Sequence, residues 1–156
     1  MELPEETRDA YQVAVKLLAR REHSIQELRR KLSSREFSND SIDAAVSSLQ
    51  EADLVSDTRY AEVFVRSRIN RGDGPVKVLA SLRERGVDDE LIEQFLKYDD
   101  LFWVDRAERA IEKKFGPQPI VDDEIDSDDW GKRARFLAGR GFAAEIIYRS
   151  LGPQHG

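Results

Sequence analysis

A chain of 156 residues with no cysteine and only two histidines, His23 and His155, has no material for disulfide frameworks, thiol catalysis, cysteine-rich zinc sites or a histidine-based triad beside a metal cage. A charged fraction of 36% against 8% aromatic points to a helical protein with much solvated surface, and the net charge of -6 argues mildly against a general nucleic-acid coat protein. The apolar runs fall far short of the roughly 20 residues a membrane span needs, and the opening M-E-L-P-E-E has neither the basic nor the apolar region of a signal peptide. A soluble, cytoplasmic protein without membrane contact is expected.

Apolar spacing is helical almost throughout, and no segment sustains strand alternation. The first helix is expected near Pro4, with Ala10, Ala14, Leu17 and Leu18 on one stripe. The second opens at Ser24-Ile25-Gln26-Glu27, a capping box in which the serine oxygen takes the amide of Glu27 and the glutamate reaches back to Ser24. Its stripe is Ile25, Leu28 and Leu32; a third helix after Ser38 turns Ile42, Ala45, Val46 and Leu49 inward. The next helix starts near Ser56 with Tyr60, Ala61, Phe64 and Val65 buried, and ends at Gly72. Pro75 starts a helix bearing Val78, Leu79 and Leu82; Gly86 stops it, and a further helix carries Ile92, Phe95 and Leu96. The last three carry Trp103, Ala107, Ala110 and Ile111; then Trp130, Ala134 and Leu137; then Phe142, Ile147 and Leu151.

These helices repeat. Leu28, Leu32, Phe37, Ile42 and Val46 map onto Val78, Leu82, Val87, Ile92 and Leu96 at a constant shift of 50. A further shift of 55 carries Leu82, Gly86, Val87, Ile92 and Leu96 onto Leu137, Gly141, Phe142, Ile147 and Leu151. The pattern predicts an all-α fold of three tandem three-helix repeats, helix-turn-helix-like units in an elongated array, at 1–53, 54–99 and 100–156, with an acidic connector at 116–128. A unit of about 50 residues has a small core, so neighbouring repeats are expected to lean on each other.

Charge is unevenly spread. From Lys16 to Arg35 there are seven Lys or Arg against two Glu, and from Asp122 to Asp129 six acids and no base. Arg66, Arg68, Arg71, Lys77, Arg83 and Arg85 surround the break at Gly72-Asp73-Gly74-Pro75, with only Asp73 and Glu84 diluting them between residues 66 and 85. Such a patch meets acidic protein surface or phosphate, though solvated helix faces are the ordinary fate of charges.

Three stretches together resemble the RecX family, regulators of the RecA recombinase. Arg21-Glu22-His23-Ser24-Ile25-Gln26-Glu27-Leu28-Arg29-Arg30-Lys31-Leu32 resembles the family's R-x-H-S-x-x-E-L-x-x-K-L. Asp57-x-Arg59-Tyr60-Ala61-x-x-Phe64-Val65, then Arg68, then Gly74-Pro75-x-Lys77-Val78-x-x-x-Leu82-x-x-x-Gly86-Val87 resembles its most distinctive block. Lys132-x-x-x-Phe136-Leu137-x-x-Arg140-Gly141-Phe142 is similar to its looser C-terminal signature. The resemblance implies an all-helical run of three-helix repeats. It also implies a protein that is not an enzyme, needs no cofactor or metal, and binds the RecA filament on single-stranded DNA as a monomer, suppressing ATP hydrolysis, strand exchange and co-protease activity in DNA repair and the SOS response. The expected partner-binding residues are Arg29, Arg30, Lys31, Arg59, Arg66, Arg68, Arg71, Lys77, Arg83, Arg85, Lys132, Arg135 and Arg140. The alternative is direct DNA binding through helix-turn-helix-like units, which the acidic total and the lack of one dominant basic recognition helix disfavour.

Other features have plainer readings. Asp57, Arg59 and Tyr60 read as mainly structural: a first-turn acid favoured by the helix dipole, a local ion pair and a core ring. His23 is expected to pack over a helix start, and Trp103 and Trp130 to anchor the core. The alternating acids Asp122, Glu124, Asp126 and Asp128 fail the calcium-loop test, with Ser127 where the turn needs glycine and Arg133 where a bidentate glutamate belongs. Gly72-x-Gly74-Pro75 lacks the strand and the Lys-Ser/Thr of a phosphate loop.

Overall fold

In the computed structural model, residues 3–117 and 127–152 are described, and all regular structure among them is helical. The helices are α1 (Glu5–Arg20), α2 (Ile25–Ser34), α3 (Asn39–Glu51), α4 (Asp57–Asn70), α5 (Pro75–Glu84), α6 (Asp89–Leu96), α7 (Asp100–Phe115), α8 (Ser127–Arg140) and α9 (Ala144–Leu151). They form three trios in chain order, and their starts agree with the expected signals. Pro4 directly precedes α1, without a side-chain cap bond, and Ser24 and Glu27 form both halves of the capping box on α2. Ser38 caps α3 by accepting the amide of Ser41 at 3.2 Å, and Asp99 caps α7 through the amide of Phe102 at 2.9 Å. The acidic connector lies largely outside the described residues.

The chain sorts into two compact units, Met1–Phe64 with Leu82–Ile92, and Val65–Ser81 with Glu93–Gly156. In the first, α1, α2 and α3 pack pairwise around Ala14, Leu28, Leu32, Ile42, Val46, Leu49 and Val55. Leu28, Leu32 and Leu49 have no exposed surface, so truncating any of them to alanine costs about 2–5 kcal/mol through lost burial and the cavity left behind. In the second, α7, α8 and α9 enclose Trp103, Ala107, Ile111, Trp130, Leu137, Phe142, Ile147 and Leu151. Both tryptophans are core, as expected, and Trp130 Nε1 donates to the Gly152 carbonyl at 2.9 Å, satisfying the polar edge of a buried ring.

Each unit contains a joint at the equivalent place, made by a side-chain hydroxyl in the first and by backbone amides in the second. In the first, the turn after α5 docks on the start of α2: Ser24 Oγ donates to the Arg85 carbonyl at 2.8 Å while accepting the amide of Glu27. In the second, the turn after α8 docks on the start of α5: the Gly74 amide donates to the Arg140 carbonyl at 2.7 Å and Val76 to the Gly141 carbonyl at 2.9 Å. Ser24 to Gly74 is the shift of 50, and Arg85 to Arg140 the shift of 55, so the sequence repeat encodes a repeated contact.

The two joints solve one problem with different residues. The first amide of α2 belongs to Ile25 and is taken by Asp57 Oδ1 at 2.8 Å; α5 starts instead with Pro75, which has no amide to satisfy. A Cβ on Gly74 would lie 2.5 Å from the Gly141 carbonyl oxygen, so the backbones meet there only because position 74 has no side chain. Gly141 sits at φ +95, in the region that favours glycine, and its own Cβ would lie 2.5 Å from the Lys77 amide nitrogen.

Candidate interaction surface

The expected contact residues divide between the units. Arg29, Arg30, Lys31, Arg59, Arg83 and Arg85 belong to the first, and Arg66, Arg68, Arg71, Lys77, Lys132, Arg135 and Arg140 to the second.

Most of those in the first unit have work inside it. Arg29 pairs with Asp43 on α3, and Arg83 with Asp89 through two bonds of 2.8 Å. Lys31 Nζ lies 2.7 Å from Nε2 of the buried His23, whose Nδ1 lies 3.0 Å from the Arg21 carbonyl. A neutral ring that donates from Nδ1 and accepts at Nε2 satisfies both bonds. Burial pushes the His23 pKa down, and the charges of Arg21 and Lys31 push the same way. Arg59 is held by Glu22, and by the Asp53 carbonyl at 3.2 Å. With Asp57 capping α2 and Tyr60 in the core, that cluster serves the fold. The guanidinium of Arg85 lies 4.9 Å from the Phe64 ring centroid. Arg30 is exposed on α2.

The second unit gathers three expected residues around one that was read only as a diluting acid. Asp73 is buried two residues before α5, and its carboxylate lies 3.3 Å from Arg140, 3.7 Å from Arg68 and 3.7 Å from Lys77. Arg140 also donates to the carbonyls of Gly72, at 3.3 Å, and Arg71. Arg140 therefore latches the α4–α5 turn to the end of α8, while Arg68 and Lys77 brace Asp73 from within α4 and α5. A buried carboxylate persists only when paired and hydrogen-bonded, and the start of α5 adds a favourable dipole. Arg66, Arg71, Lys132 and Arg135 are exposed.

Beside this latch lies an open cavity of about 440 Å³. Arg71, Arg106, Arg109, Lys113, Lys114 and Arg140 line it, and among the described residues no acid does. Ile69, Ala110 and Phe136 supply its apolar wall. Four of those cations were missed in the sequence. Arg106, Arg109, Lys113 and Lys114 follow helical spacing along α7, on the face beside the buried stripe Trp103, Ala107 and Ile111. That spacing was the available signal, but Asp105, Glu108 and Glu112 interrupt the run and hide it in any count of linear charge.

Comparison with known proteins follows the same division into trios. The profile described as "RecX, first three-helix domain" matches residues 10–49, the second three-helix domain residues 56–96 and the third residues 104–151. The chain belongs to the RecX family. Proteins named "Regulatory protein RecX" are similar over most of their length. The one from Halorhodospira halophila is 39% identical over 92% of this chain and 84% of that protein. The one from Pseudomonas entomophila is 40% identical over 88% and 86%, and that of Legionella pneumophila 38% over 88% and 89%. The crystal structure of RecX from Lactobacillus salivarius has the same fold, with a TM-score of 0.78 at 24% identity over 95% of this chain and 96% of that one. The RecX relatives are named regulatory proteins, and among the described residues no helix is long and apolar enough to cross a membrane.

Proposed function

We propose that this RecX-family chain is a regulator that binds the RecA–single-stranded DNA filament and suppresses its ATP hydrolysis, strand exchange and co-protease activity, acting in DNA repair and the SOS response as a cytoplasmic, non-enzymatic monomer. The observation that carries the reading is the match to all three RecX domains in order, spanning most of the chain. The repeated joint lends it physical sense. Three repeats of one plan, at 1–53, 54–99 and 100–156, suit a target that is itself a repeating polymer, because each weak contact raises the effective concentration of the next. A ligand that touches successive protomers holds them in one arrangement and resists the subunit motion that ATP turnover requires.

Among the expected contact residues, Arg30, Arg66, Arg71, Lys132 and Arg135 are the best placed to reach a partner, being exposed. Arg68, Lys77 and Arg140 contribute indirectly, by holding the turn that presents Arg71. Co-sedimentation with filaments preassembled on single-stranded DNA tests the reading. Saturable binding to the filament, at least tenfold tighter than to the bare strand at the same salt, is expected. Equal affinity for filament and bare strand would favour direct DNA binding, and no binding to either would remove both.

A further inference from the structure

We propose that the cavity bounded by α7, α8 and the α4–α5 turn is a nucleotide-binding site, taking a phosphate on its α7 cations and a base against its apolar wall. In a chain of net charge -6, a cavity that among the described residues is lined by six cations and no acid is a concentrated exception. Among the described residues, two of the six are partly neutralised, Arg109 by Asp105 at 2.9 Å and Arg140 by Asp73 at 3.3 Å. The remaining like charges repel one another, and a bound anion relieves that repulsion.

The mixture of arginines with an aromatic wall selects among anions. Arginine's planar fork matches phosphate bidentately, and four of the six cations are arginine. The guanidinium of Arg106 lies 5.0 Å from the Phe102 centroid, a ring contact that orders its planar fork at the cavity. Phe136 is held edge-on to Phe115 at 5.6 Å, which fixes the ring that lines the cavity. About 440 Å³ falls within the range of small-ligand sites and accommodates one nucleotide. An acidic peptide would use the cations and leave Ile69, Ala110 and Phe136 without a role; a nucleotide uses both, since every base has a face to stack.

The source of the nucleotide is either a single strand or a free nucleoside triphosphate, and one experiment separates them. The probes are a fluorescein-labelled oligo-dT of fifteen residues, an abasic phosphodiester strand of equal length, and dTTP as competitor, titrated with the full chain across a salt series. The variant Arg109→Ala, Lys113→Ala, Lys114→Ala removes three exposed cations from α7 and keeps helix propensity high. Its matched control is Arg8→Ala, Lys16→Ala, Lys97→Ala, three exposed cations outside the cavity. The cavity variant is expected to lose at least tenfold in oligo-dT affinity, with the log–log salt slope reduced by about 2. The control should stay within twofold. The abasic strand should bind roughly tenfold more weakly than oligo-dT, about the loss of one stacked base. Competition by dTTP that vanishes in the cavity variant assigns the site to free nucleotides; binding of the strand alone assigns it to nucleic acid. Equal losses in both triple variants, equal affinity for the abasic strand, or no binding of any probe at low salt would overturn the proposal. No recombinase is present, so failure here leaves the filament reading standing, and failure of that reading leaves this one.

Discussion

His23 and Asp73 occupy equivalent places fifty residues apart, each directly before the residue that opens the second helix of its trio, and both are buried. One is satisfied as a neutral ring, the other as a carboxylate among three cations. Their chemistry predicts different behaviour. Folded His23 resists protonation, whereas in the unfolded chain it titrates near 6.5. The unfolded state therefore takes up more protons on acidification, so stability is full above about pH 6.5 and falls as pH drops toward the depressed folded value. Urea unfolding of wild type and His23→Gln, compared pH by pH, should show a difference that shrinks below 6.5; a constant difference would contradict the neutral buried ring. Asp73→Asn should destabilise by roughly 1–3 kcal/mol, because it leaves three gathered cations without their anion. A midpoint unchanged from wild type would mean that the latch is dispensable.

At the scale of the element, helices and their starts were legible in the sequence, because capping, apolar spacing and turn glycines are local physics. The Ser24 box, the Pro75 start and the Gly86 stop were all readable. What was not legible is the second use of the same residues. Ser24 also holds the Arg85 carbonyl, and Asp57, a first-turn acid of its own helix, caps α2. Bonds across 61 and 32 positions leave no local trace. The consequence is measurable by thermal unfolding. Ser38→Ala removes a cap and should cost about 1 kcal/mol. Ser24→Ala removes a cap and the joint, and should cost about 2 kcal/mol, the extra being the lost bond to the half-buried Arg85 carbonyl. Equal losses would reduce Ser24 to an ordinary cap. Gly141→Ala should cost about 3 kcal/mol or more, since it adds a Cβ to a left-handed residue lying against the Lys77 backbone.

For the molecule as a whole, the offsets of 50 and 55 forecast the repeat plan, whereas the joint formed by Ser24 with Arg85 and by Gly74 with Arg140 emerges only in the structure. The candidate surface was less legible, because a charge in a sequence does not say whether a partner already waits for it in the fold. Arg29, Arg59, Arg83 and the cations around Asp73 all find acids within their own unit, while the α7 stripe lies scattered among acids in sequence and gathers only on the helix. A triple change at Arg68, Arg71 and Lys77 would therefore strip the latch along with the surface and confound the two. Arg71→Ala with Arg135→Ala touches only exposed side chains and is the cleaner probe of partner binding. The central claim is regulation of RecA, and single-stranded-DNA-dependent ATP hydrolysis by RecA, titrated with this protein, tests it most directly. The account predicts dose-dependent suppression, weakened severalfold in the Arg71→Ala, Arg135→Ala variant with its helicity intact. Unchanged hydrolysis at micromolar excess of the folded wild-type protein would contradict it.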